Sequence, residues 1–123
     1  MENKYKQWLE LAESDLRTSK LVLDDSNILP AISIYHSHQC VEKLLKAVLL
    51  KNGKGTPRVH NLNYLLNKVK DLFPVIIKYE EMITELNEAL PKLRYPTGDI
   101  LTCEDANELY NIAKEVFEDL KNI

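Results

Sequence analysis

The chain is poor in the residues that make sheets turn. It has three glycines, and its Val, Ile and Thr do not gather into alternating runs. A sheet protein needs period-two runs bounded by turn residues, so β structure is disfavoured. Two cysteines, Cys40 and Cys103, are no disulfide framework and fit reduced thiols. No apolar run approaches the roughly 20 residues that span a bilayer. The first residues, MENKYKQWLE, lack the apolar core of a signal peptide. Cytoplasmic residence without a membrane partner is therefore expected. The net charge of −3 argues against a protein whose whole surface grips phosphate backbone. It leaves room for a local basic patch.

What is present is ordinary for a globular protein: 45% hydrophobic and 28% charged residues. At 123 residues the chain suits one domain, 1–123, with a core that needs no staples. Tyr5, Leu9, Ala12, Leu16, Ser19 and Leu23 recur near every 3.6 residues, so 3–24 reads as an amphipathic helix. The polar stretch DDSN at 24–27 breaks it. A second helix starts near Leu29–Pro30 and runs to Gly53, a C-terminal cap. Its stripe of Ile34, Val41, Leu44, Leu45 and Val48 makes it the deepest element. Asn61 is placed to cap a short helix over 61–72, which Pro74 ends. Residues 75–90 carry Val75, Tyr79, Met82, Leu86 and Leu90 as the expected core face. Thr102 and Asp105 are spaced like a capping box for a last helix. Four substantial helices and one short one, mostly joined by short links, give an all-α, up-down four-helix bundle with one short additional helix.

Charge is segregated along the chain. Lys43, Lys46, Lys51, Lys54 and Arg58 face one acid, Glu42, and His60 follows. The last helix is acidic instead. A basic end attracts phosphates, whereas a merely solvated face balances its charge elsewhere in the fold. In YHSHQ, His36 and His38 point about 200° apart on a helix and cannot easily share an ion. His38 and Glu42 can share a face, but two ligands with no third make a weak metal site. The NGKGTP stretch misses the spacing and strand–helix context of a phosphate loop. No metal or cofactor is expected. Cys40, on the deep helix, reads as buried and inert.

The stretch LRYPTGD forms a corner. Pro96 pushes Tyr95 toward extended backbone, so the preceding helix ends near Arg94. A guanidinium beside a phenol suits phosphate binding with base stacking. Packing of Tyr95, with Arg94 answering the helix C-terminus, explains the same residues equally well.

An ordered set of features carries a resemblance. Trp8, Ala12, Asp15 and Leu16 form W-x-x-x-A-x-x-D-L. SHQCVEKLLKAVLLKNG, then PRVHNL, then RYP follow, before a last helix with Ala113 and Phe117. Together they resemble the HEPN family, the higher eukaryotes and prokaryotes nucleotide-binding domain, over nearly the whole chain. The resemblance implies a four-helix bundle, often a homodimer, commonly encoded beside a minimal nucleotidyltransferase in toxin–antitoxin pairs. Some relatives are metal-independent ribonucleases marked by an arginine, four to six residues, then a histidine, with two copies meeting across a dimer.

This chain departs from that mark. Asp99, Ile100 and Leu101 stand where a histidine should follow Arg94. Arg17 and Arg58 also lack one. An ionised aspartate is a poor proton donor for that chemistry. The expectation is a non-catalytic HEPN protein. Arg94, Tyr95, Lys43, Lys46 and His60 would hold a nucleotide or RNA phosphate beside a nucleotidyltransferase partner. One alternative is a ribonuclease toxin whose histidine, His60 or His38, converges from elsewhere. The other is a purely structural homodimeric module.

Overall fold

A computed structural model describes residues 4–25, 29–94 and 101–123, apart from the Arg94 side chain. The described elements are helical: α1 Lys4–Asp24, α2 Pro30–Lys51, α3 Leu62–Val69, a 3-10 segment Pro74–Tyr79, α4 Glu80–Arg94 and α5 Cys103–Leu120. They form the all-α up-down bundle, with α1, α2, α4 and α5 as its long members and α3 as the short one. Helix α2 is central and packs against each of the other four. Its Cys40, Val41, Leu44, Leu45, Ala47, Val48 and Leu49 are buried, so it carries the middle of the core.

The helix ends follow local chemistry. Pro30 opens α2, where a missing N–H has no helical partner to lose. At its other end Gly53 adopts φ +74°. The Gly53 amide donates to the Leu50 carbonyl, and the Lys54 amide to that of Leu49 at 2.9 Å. That pair of bonds is a Schellman closure, which needs the left-handed glycine. The Asn61 side chain accepts from the Tyr64 amide and starts α3. Thr102 and Asp105 exchange side-chain and backbone bonds at the head of α5, a complete capping box.

Between residues 74 and 90 the expected core face holds at Tyr79 and Leu86 and is off by one position at Val75, Met82 and Leu90. Val75 and Met82 are exposed, while Ile76, Tyr79, Ile83, Leu86 and Ala89 are buried. The 3-10 segment, which turns in about three residues rather than 3.6, sets the first of these shifts, from Val75 to Ile76. Ile76 and Tyr79 eclipse on its inner side, and α4 continues from there. Helix α4 also runs through Pro91, whose ring nitrogen cannot donate to the Asn87 carbonyl. The Asn87 side chain turns the other way and accepts from the Leu62 amide at 2.7 Å. It thereby ties the start of α3 to α4.

Helix α1 lies along α2 through small polar residues. Ser19, Ser33 and Ser37 are fully buried. The Ser19 hydroxyl is 2.9 Å from that of Ser33 and 2.8 Å from that of Ser37. Ser33 also donates to the Ser19 carbonyl. Hydroxyls that satisfy one another in this way avoid the cost of buried unpaired polar groups.

Candidate functional site

Helix α2 carries charged side chains among its core residues, and Glu42, Lys43 and Lys46 each meet a partner of opposite charge. Asp15 on α1, nearly buried, accepts from Nδ1 of His36 at 2.8 Å and from the Lys43 ammonium. Glu42 is the second centre. It is 3% exposed, yet Lys46 Nζ lies 3.0 Å from its Oε2 and His60 Nδ1 lies 3.0 Å from its Oε1. His38, one turn before Glu42, brings its Nδ1 to 3.9 Å from Oε1. The Lys46 ammonium also sits 5.7 Å from the Trp8 ring centroid. A buried carboxylate needs such matching, because taking its charge out of water alone is prohibitive.

The two lysines of the expected basic face therefore belong to different clusters. Lys43 turns to Asp15 and Lys46 to Glu42. Lys46 is 6% exposed, so its charge is spent inside the protein. His60 differs from both. Its side chain is 60% exposed although Nδ1 is held by Glu42. A carboxylate accepts, so Nδ1 carries the proton in this bond and Nε2 is left for another partner. The loop over 54–61 brings His60 back along α2 to reach this carboxylate, 18 residues earlier in the chain.

Arg94 is the last residue of α4, and its side chain and Tyr95 lie outside the described residues. The histidine-less positions 99 and 100 lie outside them as well. His36 and His38 do diverge, toward Asp15 and Glu42 respectively. Among the described residues no group of three His, Cys, Asp or Glu side chains is placed to hold a metal ion. Cys40 is fully buried, and burial, followed by the charge of Asp15, pushes its thiol far above the usual range. Such a thiol is a poor nucleophile. Among the described residues no helix is long and apolar enough to cross a membrane.

The HEPN domain model matches residues 5–123. The chain belongs to the HEPN family. It is also 34% identical, over 95% of its own length and 86% of the relative's, to the "Putative toxin MJ1304" of Methanocaldococcus jannaschii. No solved structure matches the chain. The sequence pairs His38 with Glu42 on one face, but the burial of Asp15 and Glu42 and their lysine partners are not legible in it, because both look like the solvated charges of amphipathic helices. One signal was available for Glu42. It stands three residues before Leu45 and seven before Leu49, within the apolar stripe.

Proposed function

We propose that this HEPN chain is a toxin-type protein that binds nucleotide or RNA phosphate without cleaving RNA and works with a minimal nucleotidyltransferase. The observation that carries this reading is His60, an exposed imidazole whose other nitrogen is fixed by buried Glu42. An orientated ring of this kind meets a phosphate oxygen without first losing rotamer freedom. Lys46 compensates Glu42 from inside, and Arg94, at the end of α4, supplies the guanidinium that suits phosphate. Tyr95 follows it as the stacking ring, and Lys43 sits one turn before Lys46 on α2. The toxin role is carried over from the name of the Methanocaldococcus relative. The absence of the arginine–histidine spacing argues for binding without cleavage.

Calorimetric titration with nucleotides and short RNA tests this. Binding that weakens in His60→Ala and in Arg94→Ala is expected, with RNA left intact in chelator. No binding of any nucleotide or RNA at millimolar concentration overturns it.

A second reading has its own observation. A carboxylate on Nδ1 fixes the tautomer in which Nε2 of His60 takes up a proton, as a general base must. His60 would then be the displaced histidine of a ribonuclease. RNA cleavage in chelator that disappears in His60→Ala would establish this reading in place of the first.

A further inference from the structure

A cavity of about 600 Å³ opens where the C-terminal end of α2, the loop after it and α3 meet. This volume lies within the usual range for small-molecule sites. Its frame is fixed at both ends. The Schellman closure at Gly53 starts the loop, the Asn61 cap ends it, and Pro57 stiffens its middle. Leu49, 1% exposed, and Leu72 provide an apolar floor that belongs to the core edge.

The walls carry a distinct chemistry. Tyr64 lines the cavity and is 45% exposed, an aromatic ring on a short helix. Lys68, one turn later, holds its Nζ 5.1 Å from the Tyr64 ring centroid. Lys54 faces the same space from the loop. Lys43 and Lys46 are spent on Asp15 and Glu42, but among the described residues neither Lys54 nor Lys68 forms an ion pair. Asp71 is the carboxylate of the lining, so the cavity holds two cations against one anion.

We infer that this cavity binds a small anion with a planar aromatic ring. The ring lies against Tyr64 and the Leu49–Leu72 floor, and its phosphate or carboxylate lies between Lys54 and Lys68. Stacking and charge then act together, in a recess that removes part of the ligand from water. This site is separate from the Glu42–His60 centre and does not rest on the function proposed above.

Amide chemical-shift mapping of the whole chain tests the assignment, with AMP and indole-3-acetate as anionic probes and adenosine and indole as their neutral counterparts. Saturable shifts are expected at Leu49, Gly55, Thr56 and Tyr64. Neutral probes should bind at least about tenfold more weakly, the equivalent of about 1.4 kcal/mol. AMP binding alone would identify a phosphate site, and indole-3-acetate binding alone a carboxylate site. Tyr64→Ala and the double change Lys54→Gln with Lys68→Gln should each weaken binding by a similar factor. The lysine variants change only exposed side chains, so they keep the test valid if Tyr64→Ala unfolds. No saturable shift at millimolar probe overturns the inference, as does equal binding of the neutral probes. Shifts confined to His60 and its neighbours would overturn it too, because they place the anion at the other centre.

Discussion

Nδ1 of His60 lies 3.0 Å from Oε1 of Glu42, and the two residues face opposite media. The carboxylate is buried in the bundle, whereas most of the imidazole stands in solvent. One side chain thus gives a surface residue a fixed orientation from within the core. The same carboxylate holds Lys46 inside the protein, so its loss has a stability cost as well as a positional one.

Glu42→Ala is expected to destabilise the protein by about 3 kcal/mol, since it strands a buried ammonium. Urea unfolding reads this as a lower midpoint with an unchanged slope. Replacing both partners, Glu42→Leu with Lys46→Met, should recover most of the loss, because an apolar pair carries no desolvation penalty. A single variant as stable as the parent would mean that water reaches Lys46.

The register of the 74–90 stretch can be checked by truncating neighbours. Ile83→Ala removes a fully buried side chain and should cost about 2–5 kcal/mol. Met82→Ala removes one that is 37% exposed and should cost well under half as much. The reverse order would put Met82, and not Ile83, on the core face.

Two carboxyls pull the pH dependence in opposite directions. The hydroxyl of Tyr79 and then the ammonium of Lys78 hold Asp119 below the usual aspartate range. Its stabilisation is present above the unfolded value of 3.8 and is lost as pH falls through the folded value. Glu85 is pushed up, by burial first and by Glu108 second. Its contribution is present below the unfolded value of 4.5 and is lost as pH rises through the folded one. Asp119→Asn should therefore destabilise at neutral pH, with the effect fading in acid. Glu85→Gln should stabilise at neutral pH, and that gain should fade in acid. Urea unfolding at about pH 3 and pH 7 separates them, and an effect of either variant that ignores pH would refute its assignment.

Thr102→Ala removes the hydroxyl that accepts from the Asp105 amide and should cost about 1 kcal/mol. Thr102→Ser keeps that acceptor and should cost much less. Thermal unfolding followed by circular dichroism distinguishes the two, and equal losses would show that the cap is not the cause.

The sequence made the long helices legible because each buries one stripe against the others at a period of 3.6. Caps were legible too, since Asn61, Thr102 and Gly53 act within a few residues of their own position. The 3-10 segment was not, because Val75 and Ile76 are equally apolar and only the tighter winding chooses between them. His60 was singled out on type and place, but its link to Glu42 depends on how the 54–61 loop folds back. Lys43 and Lys46 read as one basic face, yet which acid each meets is decided by neighbouring helices and the loop. The Tyr64 cavity left no pattern at all. It is the space between a helix end and a loop rather than a property of either.

The buried serines between α1 and α2 have a consequence for alignment. Leucines tolerate sliding, since one apolar contact replaces another at little cost. Hydroxyls at 2.8–2.9 Å do not, because their attraction is directional and short-ranged. Moving α1 by one turn would strand Ser19, Ser33 and Ser37 together and pull Asp15 from His36 and Lys43. The seam therefore works as a keyed joint, which penalises the near-miss arrangements that a greasy interface would accept.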